Sequence, residues 1–146
     1  MTIMGTFLHP ITLIGAGGER VTLDALVDTG ATFTTMPANT LRNLGVRPQR
    51  IVRLRLADGR SHEQELGHMT VEVDGLEGPT YVVFGDEGAP ASIGAITLEG
   101  FLLGVDPVAK RLVSVEGWQA QAVRSLAELG TARILESDSQ APLNVG

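Results

Sequence analysis

The segment Ala25-Leu26-Val27-Asp28-Thr29-Gly30-Ala31-Thr32 decides the fold of this 146-residue chain. Its unbroken apolar run, residues 25–27, is typical of a strand that is covered on both faces. Asp28 ends the run, and Gly30 permits a backbone bend that a side chain would hinder. The segment therefore predicts a carboxylate held at a sharp turn after a buried strand, which is a position suited to a catalytic acid or base.

This segment resembles the Asp-Thr-Gly-Ala-(Ser/Thr) active-site motif of aspartic proteases. The chain carries a single copy of the motif, which is similar to the retropepsin-like (retroviral-type) members, whereas pepsin-type members carry two copies in a longer chain. A second feature of the family is an aliphatic-Gly step that opens a short helix, and Ile93-Gly94 resembles it. The residues that follow, 101–107 and 111–113, are similar to the strand, Asp-Pro turn and last strand of that family.

The resemblance implies a mostly β, retropepsin-like acid-protease barrel with one or two short helices and a C-terminal helix. It implies that Asp28 is catalytic and that the chain hydrolyses protein or peptide substrates as a homodimer, with one Asp28 from each copy. Thr29, Gly30, Ala31 and Thr32 would support the active-site loop. Within this loop, Thr29 would tie the loops of the two copies together and Gly30 would present its backbone to the substrate.

Four residues depart from the family pattern. Ser92 stands where a second aliphatic residue usually precedes the helix glycine, and Ala95 replaces a polar residue that is common after it. Thr32 and Phe33 replace the acidic pair that often follows the motif in viral proteases. The catalytic loop is intact, but the pattern does not imply a viral type of substrate pocket.

A hairpin is predicted after the motif. Residues 51–56 alternate apolar and basic side chains, which is typical of a half-exposed strand, and Asp58-Gly59 fits a tight hairpin turn. The returning arm, residues 61–66, is polar and carries His62, so the hairpin has little apolar surface to bury. By resemblance this hairpin is the flap that closes over substrate, with Asp58 and Gly59 at its tip.

Composition limits the other classes of function. A net charge of −6 and a pI near 4.9 argue against nucleic-acid binding, and the absence of cysteine excludes thiolate chemistry. No apolar run approaches the ~20 residues of a membrane span, and the N-terminal residues fit a signal peptide poorly, so a cytoplasmic protein is expected. We expect no cofactor and no metal, because His62 and His68 lack the helical spacing of a zinc site. Gly15-x-Gly17 precedes another strand pattern, not a helix, which excludes a dinucleotide loop.

The sequence divides into three parts. Residues 1–116 form the predicted protease domain, and residues 136–146 are polar and are expected to be disordered. Between them, residues 117–135 place Trp118, Ala122 and Leu126 on one face of a predicted helix. This helix could pack on its own domain or meet a partner.

Two alternatives remain open from the sequence. Asp28 could be a turn aspartate that caps backbone amides, or the domain could be a catalytically weak peptide-binding or assembly module of the same fold. The intact Asp-Thr-Gly-Ala sequence favours catalysis, since a binding module needs no acidic residue there. An unrelated β-barrel would require both family features to be coincidental.

Overall fold

The computed structural model describes residues 7–121 of the chain. Nine strands and two short helices follow one another in this range. Their bounds are β1 Leu8–Ile14, β2 Arg20–Val27, β3 Thr34–Pro37, α1 Ala38–Asn43, β4 Arg50–Arg55, β5 Ser61–Val73, β6 Leu76–Gly85, β7 Ser92–Ile93, α2 Ala95–Gly100, β8 Leu103–Asp106 and β9 Arg111–Ser114.

Seven of these strands form a closed sheet in the order β1-β2-β7-β3-β6-β5-β4. The 13-residue strand β5 closes it, because one edge of β5 pairs with β6 while the other pairs first with β4 and then with β1. Most neighbours are antiparallel, but β2 pairs with β7 and β3 with β6 in parallel. The parallel pairings bring the end of β2, where the motif begins, beside β7 and the start of α2. Strands β8 and β9 form a separate hairpin.

The main core lies inside this barrel and consists of aliphatic side chains from almost every strand. Its fully buried members include Ile11, Leu13, Val27, Met36, Val71, Val73, Val82 and Ile93. A second, smaller cluster joins Val52, Leu66 and Val83, with Phe33 and Leu54 packed against it. Because Val82 faces the first cluster and Val83 the second, β6 is covered on both faces in its middle. The small cluster therefore packs the base of the β4–β5 hairpin against the residues that follow the motif.

The two hairpin turns that contain an Asp-Gly pair have different backbone conformations. At Asp74-Gly75 both residues have positive φ, 52° and 80°, which is the two-residue turn that suits the twist of a hairpin. At Asp58-Gly59 only Gly59 has positive φ, 91°, and the amide of Leu56 donates to the carbonyl of Arg60 at 2.6 Å. That loop has three residues between its closing pair, with the glycine in the left-handed position that forms a bulge.

Several predicted elements are confirmed, with corrected bounds. The pattern of residues 33–36 predicts a strand, and β3 begins at Thr34. Pro37 predicts the start of a short helix that Gly45 closes, and α1 starts after Pro37 and is followed by Gly45 at φ 82°. The apolar run of residues 81–84 predicts a buried strand, which forms within β6, but Tyr81 is 44% exposed because it points outward between two buried neighbours. The glycine-rich turn after β1 leads into β2 and not into a helix, as the sequence indicated.

The C-terminal helix predicted over residues 117–135 is absent from the part of that segment that the structure describes, residues 117–121. Residues 115–121 have no helical structure, and the side chain of Trp118 is fully exposed. The remainder of residues 117–135 and the tail at 136–146 lie outside the described residues, so those parts stay predictions. None of the helices in the described range is long and apolar enough to cross a membrane.

One charged cluster lies on the exposed surface of the barrel. Arg20 on β2 donates to Glu77 and Glu72 at 2.5 and 2.8 Å, and these hydrogen bonds raise the pKa of the guanidinium above its ordinary value. The arginine therefore stays charged at any working pH. This cluster does not belong to the cleft described below.

Candidate active site

Asp28 lies where the sequence placed it, one residue after the end of β2. Val27 is buried in the core, and Asp28 itself is half-buried. Its backbone N–H donates to the carbonyl of Ile93 at 3.0 Å, which continues the parallel pairing of β2 with β7. The backbone of Asp28 is therefore fixed by buried strands, while its side chain reaches the surface.

The loop after Asp28 orients the carboxylate. The N–H of Gly30 donates to Asp28 Oδ1 at 2.9 Å, and the N–H of Ala31 donates to the Asp28 carbonyl at 3.2 Å. Thr29 and Gly30 are exposed on the outer side of this turn. A carboxylate held by a backbone N–H keeps one orientation without a charged partner. Among the described residues, no Lys or Arg forms an ion pair with it, so it can meet a second charged or protonated group from outside.

The second predicted feature, Ile93-Gly94, packs directly against this loop. A Cβ atom on Gly94 would lie 2.9 Å from the carbonyl oxygen of Ala31 and closer still to the carbonyl of Phe33. The next two amides, of Ala95 and Ile96, donate to the carbonyls of Ala31 and Thr32 at 2.7 and 3.0 Å. Only glycine permits this approach, so the first turn of α2 and the loop after Asp28 form one unit.

Three threonines that sequence reasoning missed connect the same unit to the barrel. Thr34 Oγ1 accepts from the Gly94 N–H at 3.1 Å and lies 2.6 Å from Thr97 Oγ1, which lies 2.7 Å from Thr80 Oγ1. All three side chains are buried. The only signal in the sequence was the presence of threonine within otherwise apolar segments, and that signal is equally typical of an exposed position.

A cleft of about 430 Å³ opens beside the loop. One wall is the loop itself, over residues 30–33, and the opposite wall is the hairpin formed by β4 and β5. Phe33 and Val83 contribute apolar surface at its base, and the Phe33 ring meets Tyr81 edge to face at 5.9 Å. The remaining lining residues are Thr35, Arg53, Leu54, Arg55, Leu56, His62, Gln64, Gly85, Asp86 and Ala89. Its volume lies in the range of ligand-binding clefts, and its lining mixes polar and apolar side chains.

The hairpin tip is separated from the barrel core. Asp58 and Gly59 are exposed, and Asp58 Oδ1 and Oδ2 accept from the N–H and Nε–H of Arg60 at 2.9 and 2.7 Å. These contacts are local to the turn and do not fix the tip to the loop after Asp28. Asp58 and Gly59 therefore lie at the tip of the hairpin whose arms line the cleft, whereas Asp28, Gly30 and Gly94 form a rigid group on the other side.

The residues considered for metal binding do not come together. His62 is on the cleft side of β5, while His68 is exposed further along the strand and does not line the cleft. Across residues 7–121, no group of three His, Asp or Glu side chains is arranged to hold a metal ion.

Comparison with known proteins identifies the family of this chain. A family profile described as aspartyl protease matches residues 11–106. The retroviral protease-like domain of Ddi1 from Leishmania major is similar in structure, with a TM-score of 0.50 and 24% identity over 78% of this chain and 90% of that one. The solution structure of simian foamy virus (mac) protease matches with a TM-score of 0.46 and 20% identity, over 63% and 91% of the two chains. A search of curated proteins found no match.

Proposed function

This chain belongs to the aspartyl protease family, and we propose that it is an aspartic endopeptidase in which two copies each supply one Asp28. Its mostly β, retropepsin-like fold confirms the fold class expected from the sequence. One observation carries the proposal: Asp28 is held by the Gly30 N–H on a rigid turn, beside a cleft that lies between this loop and the β4–β5 hairpin.

The chemistry requires two carboxyl groups. Hydrolysis of a peptide bond needs one group to take a proton from the attacking water and another to give a proton to the carbonyl oxygen. A single Asp28 cannot be ionised and protonated at once. Two carboxyl groups a few ångströms apart share one proton, because both cannot easily carry a charge, and the shared proton titrates as a property of the pair. Two-fold symmetry between copies of the chain would supply this pair.

The other loop residues fit this arrangement. Thr29 and Gly30 are exposed on the side of the turn that holds the carboxylate, where a partner loop and a substrate backbone would approach. The water attacks the carbonyl carbon, its proton goes to the ionised carboxylate, and the protonated carboxyl gives its proton to the carbonyl oxygen. In the collapse of the resulting diol, the carboxyl that took the water proton gives it to the nitrogen, the ionised carboxylate takes a proton from one diol hydroxyl, and the C–N bond breaks, which restores the starting pair.

The hairpin with Asp58 and Gly59 at its tip would act as a flap. Its arms line the cleft opposite the catalytic loop, so closure over a bound peptide would exclude water from the two carboxyl groups. The small cluster around Val52 and Leu66 anchors the base of the hairpin and leaves the tip free to move.

A titration with a statine-type transition-state analogue tests the proposal. Tight binding with one inhibitor for every two chains is the expected result, because the analogue replaces the water between two Asp28 carboxyl groups. Binding of one inhibitor per chain, or no binding, would contradict the shared site. Peptide binding without cleavage would favour the alternative, a peptide-binding or assembly module of the same fold.

A further inference from the structure

The inward face of the β4–β5 hairpin carries two polar side chains beside two apolar ones. In the β4–β5 ladder, His62 lies opposite Leu54 and Gln64 lies opposite Val52, so these four side chains share one face. Val52 and Leu54 pack with the buried cluster beneath the hairpin, which shows that this face points inward. His62 and Gln64 are half-buried and line the cleft.

A carboxylate at the edge of the cleft sets the orientation of Gln64. Its Nε2 lies 3.5 Å from Asp86 Oδ1 and 3.2 Å from His62 Nε2. An ionised carboxylate can only accept, so the amide must turn its NH2 group toward Asp86 and therefore toward the imidazole as well. We assign the orientation of the amide from these contacts.

The orientation of the Gln64 amide determines which nitrogen of the His62 imidazole is free to form a hydrogen bond with a ligand. With Gln64 donating, Nε2 of His62 accepts, so the proton of the neutral ring is on Nδ1. No residue of the described range accepts a hydrogen bond from that Nδ1–H. If the ring is protonated, Nδ1–H remains a donor. In either state, His62, which lines the cleft, therefore keeps an Nδ1–H donor without a partner among the described residues.

We infer that His62, oriented by Gln64 and Asp86, forms a subsite that selects substrates by a side-chain hydrogen-bond acceptor. The favoured side chains are carboxamides and carboxylates, placed next to an apolar residue that packs on Phe33, Leu54 and Val83. This inference rests on the proposed function for its substrate class. It makes His62 a specificity-determining residue and Gln64 a positioning residue.

The charged side chains around the cleft favour a substrate side chain that accepts a hydrogen bond from His62 over one that donates a hydrogen bond. Arg53 and Arg55 also line it, and the nearest acidic partner of Arg53 is Glu63, at 3.8 Å and well exposed. Asp86, the carboxylate of the lining, is already directed at Gln64. The charged side chains of the lining are therefore two arginines and one carboxylate, a balance that favours a substrate carboxylate or carboxamide oxygen.

Cleavage mapping provides the first test. Casein is digested with the wild type and with His62→Phe, and the peptides are identified by mass spectrometry. The wild type should show Gln, Glu, Asn or Asp enriched at one position near the cleaved bond, and His62→Phe should lose that enrichment while it still cleaves. His68→Phe, a change on the same strand outside the cleft, should keep the wild-type pattern. An unchanged pattern in His62→Phe would overturn the inference.

Matched octapeptides measure the size of the preference for a hydrogen-bond acceptor. Their sequence is that of the most abundant casein cleavage site, and they differ only at the enriched position, which is Gln, Glu or the similarly sized Met. We expect kcat/KM to favour Gln over Met by about 10-fold in the wild type, as one hydrogen bond would give, and by less than about 3-fold in His62→Phe. Gln64→Leu should lower the preference partially, because the ring is kept but loses its orientation.

A binding measurement separates this inference from the proposed activity. The Asp28→Asn single variant and the Asp28→Asn/His62→Phe double variant are each titrated with the same Gln and Met peptides. If casein is not cleaved, the peptides are chosen instead from an overlapping octapeptide array of casein. A preference for Gln that disappears with His62→Phe supports the subsite even if the wild type cleaves nothing, in which case only the protease proposal fails. Equal binding of both peptides, or a failure to bind either, overturns the subsite.

Discussion

The hydroxyl oxygens of Thr34 and Thr97 lie 2.6 Å apart, and both side chains are at most 1% exposed. Thr34 is on the strand that follows the catalytic loop, and Thr97 is on α2. Since Thr34 also accepts from Gly94 and Thr97 bonds Thr80 on β6, a single chain of hydrogen bonds ties loop, helix and barrel together. Buried hydroxyls without partners are costly, so this chain should contribute measurably to stability.

Thr97→Val keeps the shape of the side chain but leaves the hydroxyls of Thr34 and Thr80 without their shared partner. We expect the free energy of unfolding in urea to fall by about 1–3 kcal/mol. Thr22→Val is the matched control, because Thr22 forms a similar 2.8 Å pair with Thr12 on the exposed surface and should cost less than about 0.5 kcal/mol. Equal losses in the two variants would contradict the role given to the buried chain.

Gly94→Ala places a methyl group against backbone atoms that cannot move without displacing the catalytic loop. We expect a loss of more than about 3 kcal/mol of stability, or failure to fold, and loss of casein cleavage in any folded fraction. Gly100→Ala lies in the same helix with open space around the added atom and should leave stability and activity within error of the wild type. A stable and active Gly94→Ala protein would show that the loop tolerates displacement.

The Asp28 motif and the Ile93-Gly94 step could be predicted from the sequence because each depends on a short local pattern. An apolar run, an aspartate and a glycine predict the turn at Asp28 without knowledge of distant residues. The strands and the hairpin tip followed in the same way from alternation and from Asp58-Gly59. The pattern could not predict the exposure of Tyr81, because the small cluster that covers its face of β6 reaches Val83 but does not include Tyr81.

The long-range part of the site was not predictable in this way. Thr34 and Thr97 are 63 positions apart, and nothing in either segment indicates that the hydroxyls meet. His62 is in a polar arm that suggested solvent exposure, but its position opposite Leu54 turns it toward the cleft. Both features arise from pairing between strands and helix that the sequence pattern leaves undetermined.

Asp28→Asn should abolish peptide hydrolysis and preserve the fold. The amide oxygen can still accept from Gly30, so the loop should keep its geometry, but the side chain can no longer take up and release a proton. We expect cleavage of casein to fall by at least about 10³-fold with an unchanged circular dichroism spectrum. Asp24→Asn, an exposed change on the same strand, should retain full activity. Activity retained in a folded Asp28→Asn protein would remove Asp28 from the mechanism.

Activity should also depend on association of two chains. If each copy supplies half of the carboxyl pair, a monomer is inert, and specific activity should fall as the protein is diluted through its dissociation constant. Analytical ultracentrifugation at the same concentrations gives the fraction of dimer for comparison. Constant specific activity where the protein sediments as a monomer would rule out the shared site.

Gly59→Val tests the hairpin tip as a flap. Gly59 has a φ of 91° with no atom near the missing side chain, so the substitution strains the turn and adds bulk where substrate backbone would pass. Gly18→Val is the matched control, because Gly18 has the same φ and the same open surroundings in the turn between β1 and β2. The two variants should lose similar stability, about 1 kcal/mol, but only Gly59→Val should lower turnover substantially.

Hydrogen exchange measures the motion itself. The tip, residues 56–60, is exposed and held by contacts within its own turn, so its amides should exchange quickly in the free protein and slow down when a statine-type inhibitor is bound. The amides of residues 23–27 in β2 lead into the buried core and should be protected in both states. If the tip is already as protected as β2 without inhibitor, the hairpin is a fixed wall of the cleft, and substrate must enter without its opening.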